Sequence, residues 1–180
     1  FREAGYPEGV FQSLLIPSDR VEDVLGDDRV TSATLTGSEG AGRAIASTAG
    51  EHLKKTVLEL GGSDPYVVLD DADLDAAAST GVWARNQNGG QSCIAAKRFV
   101  VVDAAYDEFL DRFVEAVESL VVGDPTDPAT DVGPQARQDL LDDVHEQVRA
   151  SVEAGATVVT GGEPLDCEGA YYPPTVLTDI

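Results

Sequence analysis

The sequence has no methionine, one tryptophan, two cysteines and two histidines, and only three of its 12 basic residues are lysine. Two cysteines, Cys93 and Cys167, exclude a disulfide-stapled scaffold in a chain of 180 residues. His52 and His145 are far apart, there is no Cys-x-x-Cys, and the acids are not spaced as ligands, so no metal is expected. No apolar run approaches the roughly 18 residues of a membrane span, and nothing reads as a signal peptide. A reducing, cytoplasmic setting is the expectation. The shortage of bases is the largest departure: 33 acids leave a net charge of −21 and a pI near 4.1. Such a surface repels phosphate backbones and anionic lipids, which excludes a nucleic-acid or membrane partner. The acid dominates nearly every helix rather than one tail, as in a surface tuned for solubility. Concentrated salt shortens charge repulsion to a few ångströms, so a hypersaline, halophile-like cytoplasm fits.

What is present is a foldable α/β pattern. At 42% hydrophobic and 25% charged residues, a chain of this length buries roughly 70% of its unfolded surface. The opening FREAGYPEGV reads as the last turn of a helix stopped by Gly5 and Pro7, and the other end stops right after YYPPTVLTDI. Both ends suggest an internal fragment of a longer protein. Between them, VFQSLLI (10–16), a helix opened by Ser18, and VTSATLT (30–36) give a β-α-β rhythm. A Gly-rich turn (37–42), a helix to about Gly50 and KTVLEL (55–60) extend it. The pattern restarts after Gly61 and Gly62 with PYVVL (65–69), a helix over 73–86, the polar loop NQNGGQSC and KRFVVV (97–102). A helix over 104–121 places Tyr106, Phe109, Leu110, Phe113, Val117 and Leu120 on one face. A Gly/Asp/Pro loop (123–134), a helix carrying Leu140, Leu141, Val144, Val148 and Val152, ATVVT (156–160) and YYPPTVL follow. Alternating strands and helices predict parallel strands with crossover helices, and a second structural unit beginning near residue 62.

Three segments could carry chemistry. TGSEGAGR (36–43) joins a β-branched strand to a helix, where small residues, the Ser38 hydroxyl and free N–H groups suit phosphate. It matches neither G-x-G-x-x-G nor the Walker sequence, and a tight turn without ligand is the equal alternative. In VLELGG (57–62), Glu59 sits near the end of an apolar strand, where ligands collect in open parallel sheets and a partly desolvated carboxylate can act as a base. Alternation also allows Glu59 simply to face solvent. In NGGQSC (88–93), backbone amides around Cys93 could stabilise a thiolate or an oxyanion. Core packing is the competing use of a lone cysteine. Cys167, among acids in EPLDCEG, lacks any such support.

Taken in order, T-G-S at 36–38, L-E-L-G-G at 58–62 and N-x-G-Q-x-C at 88–93 resemble the aldehyde dehydrogenase superfamily. The E-A-G-Y-P-E-G-V opening, the G-D-P-x-D-P loop followed by G-P-Q, and Y-Y-P-P-T-V-L extend the resemblance over the whole chain. LELGGSDP, AAKRF and YYPPTVL look most like the succinate-semialdehyde dehydrogenase branch. The resemblance implies an α/β fold in which 1–61 is the C-terminal part of a Rossmann-like NAD(P)-binding domain and 62–180 the N-terminal and central part of a catalytic domain. It implies that Cys93 is the nucleophile and that Glu59 is the base that activates water, the two converging on one reacting carbon. Gly37 and Ser38 would contact the pyrophosphate region of NAD or NADP, Gly42 would permit close helix approach, and Leu60 would lie beside the nicotinamide. The small-molecule partner would be an aldehyde, and the full-length protein a homo-oligomer. In the family, the asparagine completing the oxyanion hole, the ribose-holding lysine stretch and E-x-F-G-P lie outside these residues, so the piece alone is expected to be inactive. Some semialdehyde dehydrogenases carry an arginine where Gln87 stands here; Arg85 lies two residues earlier. A CoA-acylating relative, which usually lacks the glutamate matching Glu59, and a non-catalytic scaffold are the alternatives.

Overall fold

In the computed structural model, which describes residues 1–180, the chain divides into two units, Phe1–Gly61 and Gly62–Ile180. In the first, Phe1–Tyr6 form one turn closed by Gly5 N–H to Arg2 O at 3.0 Å and Tyr6 N–H to Phe1 O at 3.1 Å, with Gly5 at φ 78°. That pair of bonds is the Schellman arrangement that ends helices. Residues 10–16 correct the strand expectation. They join no ladder, and Phe11 and Leu15 are 68% and 99% exposed. An apolar run becomes a strand only when a partner backbone lies alongside, and sequence periodicity does not supply the partner.

After α1 (Val21–Gly26) come β1 (Ser32–Gly37), α2 (Glu39–Glu51) and β2 (Lys55–Leu60). The two strands pair in parallel from Ser32↔Lys55 to Gly37↔Leu60, as a β-α-β crossover requires. The turn after α1 is pinned by the Lys54 ammonium, which donates to the carbonyls of Leu25 and Asp27, the latter at 2.6 Å. Asp27 takes two bonds from the Arg29 guanidinium at 2.8 and 2.6 Å and one from its backbone N–H. Those donors hold the Asp27 carboxyl far below the usual carboxylate range.

The second unit repeats the crossover with β3 (Asp64–Val68), α3 (Leu74–Asn86) and β4 (Ala96–Val101), paired in parallel. The register slips between Asp64 and Pro65, where proline has no N–H to give the ladder. Asp73 caps α3 by accepting from the Ala76 N–H at 3.1 Å. Packed on these is α4 (Asp103–Glu118), and the core is Val68, Ala78, Val82, Phe109, Phe113 and Val117, with Phe99 packed against both phenylalanine rings. The buried face of α4 is Ala105, Phe109, Phe113 and Val117, an i, i+4 row, whereas Tyr106 is exposed. Phe109, Phe113 and Val117 of the expected stripe thus form the buried row and Leu120 packs against it, while Ala105 takes the place expected of Tyr106. Helix α5 (Gln138–Glu153) and the antiparallel pair β5 (Thr157–Thr160) and β6 (Val176–Thr178) complete the unit. Here Leu141, Ala170 and Tyr172 form a second cluster. The Tyr172 hydroxyl donates to Gly162 O at 2.8 Å and lies 3.1 Å from His145 Nδ1. Burial, with Glu163 nearby, pushes that phenol up to about 12. No helix is long and apolar enough to cross a membrane.

Candidate active site

Four of the five candidate positions come together at one end of the first unit. Gly37 and Leu60 are register partners at the C-terminal ends of β1 and β2, and Glu59 faces Thr36 across the same ladder. Ser38 follows directly as the N-cap of α2, its Oγ accepting from the Ala41 N–H at 3.2 Å. This is the edge at which parallel sheets collect ligands, with the positive end of a 13-residue helix beside it. Gly42 is buried in the first turns of α2, and a Cβ there would stand 2.7 and 2.9 Å from the two terminal methyls of Leu60. Its lack of a side chain lets the helix settle onto the strand that carries Leu60. Small residues, a capping hydroxyl and helix-terminal N–H groups are the donor set a dinucleotide pyrophosphate takes, so the residues fit such a cofactor.

Glu59 occupies the other face. Along β2 the half-buried residues are Leu58 and Leu60, while Val57 and Glu59 are exposed; alternation puts the carboxylate opposite the face that Gly42 meets. The partial desolvation considered from the sequence is absent within this unit.

Cys93 belongs to the second unit and lies in the connection between α3 and β4. It is exposed and unpaired, as is Cys167, so neither thiol is core packing. Cys93 and Ile94 are the central residues of a turn closed by Ala95 N–H to Ser92 O at 3.1 Å. That bond uses neither of their own amides, leaving two N–H groups next to the sulfur. The approach to the turn is a left-handed stretch: Asn88, Gly89 and Gly90 have φ of 54°, 62° and 76°. Gly90 adopts a conformation that favours glycine, and a Cβ there would fall 2.5 Å from Arg85 Nη2, the movable end of that side chain, and 3.3 Å from Arg85 O. Arg85 Nη2 donates to Gly90 O at 3.4 Å, and burial lowers its affinity for the proton from the usual arginine value.

Sequence reasoning did not single out the residues that brace this loop. Gln135 Nε2 donates to Gly89 O at 3.2 Å, and Gln91 Oε1 accepts from the Ala136 N–H at 3.0 Å. The signal available was that two glutamines fall in the two loop motifs N-x-G-Q-x-C and G-P-Q; their separation along the chain hid the pairing. No cluster of three or more His, Cys, Asp or Glu side chains is placed to hold a metal.

Similarity to known proteins extends over the whole chain. The model of the aldehyde dehydrogenase family matches residues 1–180. Over 176 residues the chain is 60% identical to succinate-semialdehyde dehydrogenase [NADP(+)] of Mycobacterium avium, covering 98% of this chain and 37% of that protein. Succinic semialdehyde dehydrogenase of Streptococcus pyogenes, solved with NADP+, superposes with a TM-score of 0.94 at 40% identity, over 98% of this chain and 39% of the other. Succinate-semialdehyde dehydrogenase of Burkholderia pseudomallei gives a TM-score of 0.95 at 32% identity, over 99% and 37%. The chain thus spans well under half the length of these relatives.

Proposed function

The chain belongs to the aldehyde dehydrogenase family, and on that premise we propose that its full-length protein oxidises succinate semialdehyde to the dicarboxylic acid with NADP or NAD as acceptor. In this reading Phe1–Gly61 is part of the cofactor domain and Gly62–Ile180 part of the catalytic domain. The observation that carries it is the setting of Cys93: an exposed thiol at the centre of a turn with uncommitted amides, on a braced loop. The choice of aldehyde and cofactor rests on the relatives named above.

The Cys93 thiolate adds to the aldehyde carbon, and the carbonyl oxygen becomes an oxyanion that the Cys93 amide helps to stabilise. A bound NADP or NAD would supply the acceptor for the hydride that leaves this thiohemiacetal, which becomes a thioester on Cys93. Glu59 then takes a proton from water as it attacks the thioester carbonyl, releasing the acid and restoring the thiolate. Gly37 and Ser38 would hold the pyrophosphate through N–H groups at the start of α2, and Leu60 would lie at the nicotinamide end. The acid excess suits work in concentrated salt in a cytoplasm, and a homo-oligomer is the proposed assembly.

Two variants of the full-length protein test the assignment. Cys93→Ala abolishes aldehyde-dependent NADP reduction by at least about a thousandfold. Glu59→Gln gives one burst of reduced cofactor per site and then stalls, with labelled substrate retained on Cys93. Steady turnover in Cys93→Ala, or in Glu59→Gln, removes that residue from its role. Turnover that requires added CoA and yields the acyl-CoA in place of the free acid supports the acylating alternative.

A further inference from the structure

Three consecutive left-handed residues, Asn88–Gly90, precede the cysteine turn. For the glycines this conformation carries no steric penalty, whereas for Asn88 it costs about 1 kcal/mol. Such a stretch makes no ladder with a neighbour, so what fixes Cys93 must reach in from elsewhere. Two bonds do so from one segment. Gln135 donates its side-chain amide to Gly89 O, and the backbone N–H of Ala136 is received by Gln91 Oε1, at 3.2 and 3.0 Å. Donor and acceptor roles are exchanged between side chain and backbone. The pair spans 46 and 45 residues of sequence, so it fixes both the separation and the sliding position of the two strands of chain. The bracing segment is itself held, because the Gln135 N–H donates to Ala170 O at 2.8 Å and Ala170 is packed with Leu141 and Tyr172. Within the loop, Gln91 Nε2 also donates to Asn88 O at 3.2 Å, across the left-handed residues.

We propose that Gln135, acting with Gln91, is a positioning residue for Cys93: it transmits the fixed location of the α5–Tyr172 packing to the loop that presents the sulfur. In this role both glutamines act through the loop and not on the substrate. The consequence for turnover rests on Cys93 being the nucleophile, but the consequence for the thiol does not.

The experiment uses the full-length protein and two readouts. One is steady-state kinetics with a count of active sites; the other is the rate at which iodoacetamide alkylates Cys93 without substrate or cofactor, with Cys167 as the internal reference. Gln135→Met keeps the side-chain length and removes the donor. It lowers kcat per active site on the order of 10- to 100-fold with KM changed less than about threefold. It also shifts Cys93 alkylation by more than about threefold while Cys167 is unchanged. Gln91→Met behaves alike, and Gln91→Glu, which keeps an acceptor for the Ala136 N–H, recovers most of the loss. A merely structural role would lower the active fraction without moving kcat per active site, Cys93 alkylation or the Glu-over-Met rescue. The proposal is overturned if Gln135→Met leaves Cys93 alkylation within twofold of wild type, or if Gln91→Glu is no better than Gln91→Met. Should Cys93→Ala turn over normally, the nucleophile reading falls, and alkylation of the Gln135 variant still decides whether the loop is positioned as proposed.

Discussion

In Phe1–Gly61, Gly37, Glu59 and Leu60 take their places from the main chain: six residues of β1 face six of β2 in unbroken parallel register, and Ser38 is set by the helix it caps. In Gly62–Ile180, Cys93 lies outside any ladder, and side chains of Arg85, Gln91 and Gln135 hold its loop through carbonyls and one N–H. The packing beneath differs in the same sense. The first unit buries Leu25 and Ala49, the second an aromatic cluster around Phe109 and Phe113. Charge is also divided unequally, with six bases and ten acids in the first unit (net −4) against six and 23 in the second (net −17). A ladder positions residues almost regardless of side chain, whereas a braced loop depends on a few polar groups and on the absence of others.

A pair of alanine substitutions would break this comparison most directly. Gly90→Ala must accept φ 76° and a Cβ against Arg85, for a loss of about 2–4 kcal/mol. Gly42→Ala has no such backbone demand, and the roughly 1 kcal/mol gained in helix propensity offsets part of its crowding against the Leu60 methyls. Denaturant titration of the full-length variants should rank them in that order, and equal losses would remove the distinction between ladder and brace.

The supports of the two units should also respond to opposite ends of the pH scale. Tyr172 has its folded pKa raised, to about 12 from 10.0. Its contribution is complete below pH 10 and is lost as pH rises toward 12. Tyr172→Phe removes that alkaline dependence, and at neutral pH costs about 1–3 kcal/mol by leaving the carbonyl of buried Gly162 without its donor. Asp27 in the first unit has a depressed pKa, so its contribution is present above the ordinary carboxylate value of 3.8 and fades as pH falls below it. Asp27→Asn flattens the acid limb and leaves the alkaline one unchanged, measurable by thermal unfolding at each extreme. The smallest effect expected per residue is that of salt. Raising KCl from about 0.1 to 2 M shortens the screening length to a few ångströms, and hydrogen exchange should slow more in Gly62–Ile180 than in Phe1–Gly61. Equal response in both units would separate the acid excess from salt adaptation.

Much of this was legible in the residues. Strand–helix alternation gave both crossovers, and Gly61–Gly62 marked the division between units. T-G-S, E-L-G-G and N-x-G-Q-x-C drew attention to residues that the structure places at strand ends and in an exposed turn. What misled was periodicity without a partner: Val10–Ile16 has the composition of a strand and pairs with nothing, and Tyr106 has the spacing of a core residue yet is exposed. The sequence named Gln91 and Gln135 only as letters within motifs.

The sequence alone determined where most elements begin, which residues could serve as nucleophile and base, and how acidic the chain is, because propensity, capping and charge act over a few neighbours. Only the tertiary structure decided which face of β2 carries Glu59, that Gly42 meets Leu60, and that Gln135 reaches Gly89. Those outcomes depend on the direction of a side chain, and on contacts between segments up to 46 residues apart that become neighbours only when a core has closed around them.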